Sequence, residues 1–157
     1  MTSTALLISI KPPHIDEILQ GRKTTELRRR FKVPNAAGRH LFLYASTPRQ
    51  ALVGRARIGR VACLPVERLW EAVHGSACVT REQFDAYFAG KSDGYALSLE
   101  NVVTFANPIA FQELRSRFGF WPPRSYQYMT GELARLLDDP RVERSTLIDD
   151  SRVPLHF

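Results

Sequence analysis

Apolar residues recur along this chain at two spacings, one typical of strands and the other typical of helices. The strand spacing predicts strands at Ala5–Ile10, Thr24–Arg30, His40–Ser46, Ala51–Leu64 and Gly94–Phe105. The helix spacing predicts helices at His14–Gln20, Val66–Val73, Arg81–Ala89, Ala110–Phe118 and Ser125–Leu137. Short strands interleaved with short helices, with no repeat and no low-complexity linker, indicate a compact α+β barrel.

Local signals support several of these boundaries. Pro12 and Pro13 favour a helix start, and Gly21 is a typical helix stop. Thr80 with Gln83 three residues later predicts a capping box. Two glycines inside the long fourth strand, Gly54 and Gly59, predict breaks or bulges.

The length of 157 residues fits one domain. We expect residues 1–137 to form it. The mixed, charged residues 138–157 are expected to be a C-terminal extension, packed on the domain or trailing from it.

Positive charge is concentrated in the first half of the chain. Residues 1–70 carry 13 Lys and Arg against 4 Asp and Glu, whereas residues 71–157 carry 9 against 12. The 18 Arg outnumber the 4 Lys, which suits phosphate pairing and base stacking but is also what a GC-rich genome produces. The uneven distribution indicates a surface that meets nucleic-acid phosphates.

Several other classes of function lack support in the sequence. The two cysteines and four histidines show no metal-ligand spacing, so we expect no metal, and no glycine loop indicates a cofactor. No stretch approaches the roughly 20 apolar residues of a membrane span. The apolar run Ala5–Ile10 is too short for the core of a signal peptide. A reduced, cytoplasmic protein is therefore expected.

The strongest local feature is the segment that follows Gly21. Lys23 lies at the turn, and strand alternation places Glu26 and Arg28 on one face just after it. A cation, a carboxylate and a guanidinium thus converge within a few residues. Taken alone, the pattern is also compatible with an ordinary ion pair on a solvated edge strand.

This segment resembles the hallmark GxKxxExR of the ASCH domain family, which Gly21, Lys23, Glu26 and Arg28 match at all four positions. Five further blocks resemble the same family in order: LLISIKP, LFLYAS, ALVGRARIGRV, YFAGKSDGYAL and FGFWPPRSYQYM. The resemblance implies a single PUA-like β-barrel with flanking short helices. It also implies an RNA-binding cleft, lined by the hallmark, beside the helix after the first strand.

The resemblance also implies two possible hydrolytic activities in that cleft. In members that remove acetyl groups from acetylated cytidine, Lys23 has its counterpart, but the nucleophilic Thr position is Glu26 here. The expected Glu falls near Ser76 or Ala77. In RNA-cleaving members, Tyr44 and Ser125 match the expected site. The expected Lys is Gln50, with Arg49 beside it.

We therefore expect a protein that binds RNA, either single-stranded or as a modified nucleotide, with RNA-linked or transcriptional regulation as its setting. Its candidate binding residues are Lys11, Arg22, Lys23, Glu26, Arg28, Tyr44, Arg49 and Ser125. The first alternative is a small hydrolase, a ribonuclease or an acetylcytidine amidohydrolase, whose working groups are Lys23, Glu26, Tyr44 and Ser125. The second is a protein-interaction module that uses the acidic half.

Two of the candidate residues, Lys11 and Tyr44, and the nearby Trp121 have two interpretations each. Lys11 is expected to flank the cleft, although a strand-end lysine can also extend into solvent. The ring of Tyr44 either stacks on a base or packs in the core with its hydroxyl bonded. Trp121, before Pro122 and Pro123, is expected to be a hydrophobic plug rather than an exposed stacking platform.

The hallmark also gives a mutational expectation. Lys23→Ala is expected to abolish binding and leave the fold intact.

Overall fold

A computed structural model describes residues 4–138 of the chain. Its strands are β1 (Leu6–Ile10), β2 (Thr25–Arg28), β3 (His40–Ala45), β4 (Ala51–Pro65), β5 (Asp93–Ala110) and β6 (Tyr126–Tyr128). Its helices are α1 (Pro12–Leu19), α2 (Val66–Val73), α3 (Arg81–Tyr87), α4 (Phe111–Phe118) and α5 (Gly131–Asp138).

The six strands form one sheet in the order β2-β5-β4-β3-β1-β6. Only the β1–β3 pair is parallel among these strands. Hydrogen bonds join the chain in and just after β2 to the chain in and just before β6, the two edges of the sheet. An Arg28 guanidinium nitrogen donates to the Ser125 hydroxyl over 3.2 Å, and the Lys32 backbone N–H donates to the Tyr126 hydroxyl over 3.0 Å. The sheet is therefore curled into a half-barrel, and the predicted α+β class is confirmed.

Alternating side chains of the strands divide the core between the two faces of the sheet. In β1, Leu6, Ile8 and Ile10 pack with Ile15 of α1, and Leu7 points to the opposite face. That opposite face is covered by α4 and α5 through residues such as Leu114, Leu133 and Leu137. A third cluster joins α2 and α3 to Leu27 of β2. The cleft described below lies where β1, β2 and β3 approach one another.

The predicted helix at Ser125–Leu137 is wrong in its first half. Tyr126–Tyr128 forms β6, which pairs antiparallel with β1. The helix begins only at Gly131. The free edge of β1 supplies hydrogen-bond partners that outweigh local helical periodicity. The strand predicted to end at Phe105 continues to Ala110 because its last residues pair with the start of β4.

Two local predictions are confirmed. Thr80 and Gln83 form the capping box of α3, with bonds of 2.9 and 3.1 Å. The register between β4 and β5 shifts between Leu52 and Gly54 and again between Ile58 and Val61.

The proposed extension, 138–157, lies outside the described residues except for Asp138. Within the described part of the chain, no helix is long and apolar enough to cross a membrane.

Candidate functional site

Three charged side chains of the hallmark segment are buried together. Arg28 lies 2.6 Å from one carboxylate oxygen of Glu26, and the Lys23 amine lies 3.8 Å from the other. Their side chains are 10%, 7% and 2% exposed for Arg28, Glu26 and Lys23 respectively. This charge cluster, Lys23–Glu26–Arg28, holds two cations and one carboxylate, so an anion nearby would balance its charge.

The turn after α1 carries Lys23 inward. Gly21 takes a positive φ of 81°, and the backbone N–H groups of Arg22 and Lys23 both donate to the Glu17 carbonyl. The Lys23 amine then donates to the Ala77 carbonyl. Burial lowers the pKa of Lys23, and the Glu26 carboxylate opposes this shift. Because the amine is buried and bonded, the expectation that Lys23→Ala leaves the fold unaffected does not hold.

The Arg28 guanidinium connects three parts of the chain. Besides Glu26, it donates to the Ser9 carbonyl over 3.0 Å and to the Ser125 hydroxyl over 3.2 Å. Its Nε is buried and has no hydrogen-bond partner within residues 4–138. Arg28 thus joins β1 to the segment before β6. The Ser9 hydroxyl joins the same two segments by donating to the Pro123 carbonyl over 2.7 Å.

Arg28 lines an open cleft of about 420 Å³. Because β1 and β3 run parallel, their carboxyl ends lie at the same edge of the sheet, and the cleft forms there. Its lining residues are Ser9, Ile10, Lys11, His14, Glu26, Arg28, Tyr44, Ser46, Thr47, Gln50, Tyr87, Pro122, Pro123 and Arg124. The lining combines three cations with several hydroxyl and amide groups, a composition that suits a polar anionic ligand.

Tyr44 is 1% exposed and its ring packs 5.5 Å from that of Phe120. The ring therefore belongs to the core and is not placed to stack on a base, which corrects one of its two interpretations. The other interpretation also needs revision, because the hydroxyl is not bonded to any described residue. Burial raises the pKa of Tyr44, so the hydroxyl keeps its proton at neutral pH.

Two predicted cations lie on the outer surface instead of in the cleft. Arg22 is paired with Glu17 at 2.7 Å, and Arg49 with Asp16 at 2.9 Å. Both carboxylates, Glu17 and Asp16, belong to α1, and the ion pairs hold the two arginines outside the cleft.

Lys11 lines the cleft as expected. Ser125 is absent from the cleft lining and borders it through its hydrogen bond to Arg28.

The structure adds cleft residues that sequence reasoning did not select, above all His14 and Arg124. Burial lowers the pKa of His14, and the positive charge of Lys23 lowers it further. A histidine with a lowered pKa is neutral at pH 7 and can accept a proton. The sequence carried one signal that could have identified His14. It lies at the start of the predicted helix after the first strand, and the family resemblance implies that the cleft lies beside that helix.

A smaller pocket of about 200 Å³ opens beside the cleft and shares His14, Glu26 and Tyr87 with it. Lys23 lines this pocket rather than the main cleft, together with apolar side chains such as Leu27 and Phe84. The Tyr87 hydroxyl donates to the Leu27 carbonyl over 3.2 Å. The charge cluster therefore forms the wall between the two spaces.

Comparison with known proteins places this fold among ASCH proteins. A curated relative, the ASCH domain-containing ribonuclease of Zymomonas mobilis, is 29% identical over 127 residues, which cover 80% of this chain and 84% of that protein. The crystal structure of ASCH from Zymomonas mobilis superposes with a TM-score of 0.78 at 28% identity, covering 84% of this chain and 92% of that one. A serine-to-alanine and a tyrosine-to-phenylalanine mutant of the Zymomonas mobilis protein match equally well, with TM-scores of 0.79 and 0.80.

Human THYN1, solved in complex with DNA that contains 5-methylcytosine, matches with a TM-score of 0.50 at 16% identity. The match covers 87% of this chain and 99% of that one, and it shows a shared fold. Residues 8–114 match the ASCH domain model, which is more than half of the sequence. The chain therefore belongs to the ASCH domain family.

Proposed function

We propose that this protein binds single-stranded RNA in the cleft beside Arg28 and Tyr44. The observation that carries the proposal is a pair of buried polar atoms, Arg28 Nε and the Tyr44 hydroxyl, which lack a hydrogen-bond partner within residues 4–138. Both residues line the same cleft. An unpaired buried donor costs about 1–3 kcal/mol, so a ligand that bonds to these atoms gains what the free protein lacks.

The charge of the cleft favours phosphate as the group that is bound. The charge cluster carries one cation more than it has carboxylates, and Lys11 and Arg124 add positive charge on the cleft rim. In this proposal, Arg28, Lys11 and Arg124 bind phosphate, and Glu26 orients Arg28 and Lys23. Arg22 and Arg49 contribute only to the long-range field, since each is paired with a carboxylate of α1.

The test compares Tyr44→Phe with Tyr126→Phe. Tyr44→Phe removes an unpaired hydroxyl, so stability should be unchanged or slightly higher, while affinity for a labelled single-stranded RNA should fall about threefold to tenfold. Tyr126→Phe removes a hydroxyl that is bonded to Lys32 outside the cleft, so it should lower stability by about 1 kcal/mol and leave affinity unchanged. Equal RNA affinity of Tyr44→Phe and the wild type would contradict the proposal.

Salt dependence supplies an independent test of the phosphate contacts. For a single strand, log K should fall with log salt concentration by about 0.7 for each neutralised phosphate. A flat salt response would instead favour the protein-interaction alternative.

A ribonuclease is the second candidate function. The serine and tyrosine that are altered in the mutants of the Zymomonas mobilis protein are separated by the same number of residues as Tyr44 and Ser125 here. In RNA cleavage, the 2′ oxygen bonds to phosphorus and the bond from phosphorus to the 5′ oxygen breaks. A base must take the 2′ proton, and the 5′ oxygen must receive one.

His14 and Tyr44 suit these two proton transfers, because neutral His14 can accept a proton and Tyr44 retains one. Arg28 would stabilise the charge on the phosphorus oxygens. Transfer of the proton from His14 to Tyr44 through solvent restores both groups. Gln50, in place of the expected lysine, cannot donate a proton at neutral pH, which makes His14 the informative residue.

The experiment incubates labelled single-stranded RNA with the wild type and with His14→Ala purified in parallel. Cleavage by the wild type that is lost in His14→Ala, with RNA affinity retained, would support the ribonuclease. An uncut RNA would remove this candidate and leave the binding proposal standing.

The amidohydrolase alternative has weaker support. Where a catalytic glutamate is expected, the Ser76 hydroxyl is bonded to Thr25 at 2.8 Å, and the Ala77 carbonyl accepts from Lys23. These groups hold the fold together and offer no carboxylate. Release of acetate from acetylcytidine by the wild type would support the amidohydrolase alternative instead.

A further inference from the structure

We propose that a single strand of RNA bound in the cleft continues over a second surface, which we call the Trp121 surface. It consists of Arg115, Arg117, Trp121, Tyr128 and Arg39. This inference rests on the proposed RNA binding and extends it from one nucleotide-sized cleft to a longer strand.

Trp121 is 62% exposed, which overturns the expectation that it forms a hydrophobic plug. Its ring is nevertheless held in place. The Arg115 guanidinium lies 4.2 Å from the ring centroid, and the Phe111 ring lies at 5.7 Å. An indole that is oriented but largely uncovered has the properties of a stacking platform for a base, because every base presents a π face.

A groove of about 540 Å³ runs beside Trp121. Tyr128, which is 42% exposed, lines the same groove, with the Arg39 guanidinium 5.8 Å from its ring centroid. Two exposed aromatic rings are therefore each accompanied by an arginine. This combination of stacking surface and cation is the one by which proteins hold single-stranded nucleic acid.

The charge of this region favours an anionic strand. Arg39 is held by the backbone carbonyls of Thr4, Pro34 and Asn35, so its positive charge has no carboxylate partner in those contacts. Arg115 likewise donates to the Gly119 carbonyl.

Two carboxylates in the same region partly offset the arginines. Arg117 is paired with Glu113 at 2.9 Å, and Glu132 also lines the groove. The region still carries more arginines than carboxylates, so it suits an anionic strand better than an uncharged apolar peptide.

The Trp121 surface adjoins the cleft along the chain. Trp121 lines the groove, and the next three residues, Pro122, Pro123 and Arg124, line the cleft. One short segment, Trp121 to Arg124, therefore lines the groove at its start and the cleft at its end, and its two prolines restrict its backbone. In this proposal, a strand whose phosphate is bound by Arg28 passes along this segment to reach Trp121.

The experiment measures the anisotropy of labelled uridylate probes, a dinucleotide and an oligomer of about twelve nucleotides. The wild type should bind the oligomer more tightly than the dinucleotide. Trp121→Ala should weaken oligomer binding about fivefold or more and leave dinucleotide binding unchanged. Trp121→Phe should restore most of the affinity, and thermal melting should be similar for all three proteins because the side chain is exposed.

Arginine variants provide a matched control. Arg81 also lies over a tryptophan ring, that of Trp70 at 5.3 Å, but it is paired with Glu67 and Asp85 on another part of the molecule. Arg115→Ala should weaken oligomer binding, whereas Arg81→Ala should not.

The outcomes separate the two proposals. Failure of the wild type to bind either probe would overturn RNA binding itself, and this inference with it. Oligomer binding that is identical in Trp121→Ala and the wild type would overturn the Trp121 surface alone. That result is also expected if another segment or a protein partner covers the groove.

Discussion

The charge cluster and the ion pairs on α1 both join basic side chains to carboxylates, yet their environments differ. Glu26 and Arg28 are at most 10% exposed, whereas Arg49 and Asp16 are 38% and 45% exposed. Charges in water interact weakly, and buried charges depend strongly on their partners. The comparison teaches that burial, rather than residue type, gives the hallmark segment its chemical importance.

The largest effect is expected for Glu26→Ala. The substitution leaves Arg28 and Lys23 buried without their carboxylate, so the free energy of unfolding should fall by about 3–5 kcal/mol. Chemical denaturation measures this loss. Glu100→Ala is the matched control, since Glu100 pairs with Arg57 at 2.6 Å but is 49% exposed. Similar losses in the two variants would erase the distinction between buried and exposed pairs.

A smaller effect is expected for Lys23→Met, and it depends on pH. Burial lowers the pKa of Lys23 in the folded protein, so the unfolded chain binds more protons between that lowered value and about 10.5. In that window the wild type should gain stability relative to Lys23→Met as the pH rises, by at most about 1.4 kcal/mol per pH unit. Denaturation curves of both proteins at several alkaline pH values measure the difference. A difference that is constant with pH would mean that Lys23 titrates normally.

The smallest effect is expected for Arg49→Ala. Its ion pair with Asp16 is exposed, so the free energy of unfolding should change by no more than about 1 kcal/mol. RNA affinity should fall slightly at low salt and not at high salt, because Arg49 acts only at long range. A loss of affinity at high salt as large as that expected for Tyr44→Phe would place Arg49 in the binding site after all.

Sequence reasoning identified the hallmark residues but not the surroundings that they would find. Strand alternation correctly grouped Glu26 with Arg28, since that relation is local. The structure places Arg22 on the outer surface, paired with Glu17 five positions earlier, and the strand and helix spacings did not single out that pairing. His14 was passed over because its importance comes from the cleft, which forms only when β1, β2 and β3 assemble.

The order of residues was enough to predict the family, most of the strands and helices, the turn at Gly21 and the positive first half of the chain. These properties depend on residue order and on interactions between close neighbours. Which charges are buried, and which hydroxyls lack a partner within residues 4–138, became visible in the folded chain alone. The contacts responsible join distant residues, Arg28 to Ser125, Lys23 to Ala77 and Ser9 to Pro123, which are 97, 54 and 114 positions apart. No local pattern encodes such distances, because they follow from the curl of the whole sheet.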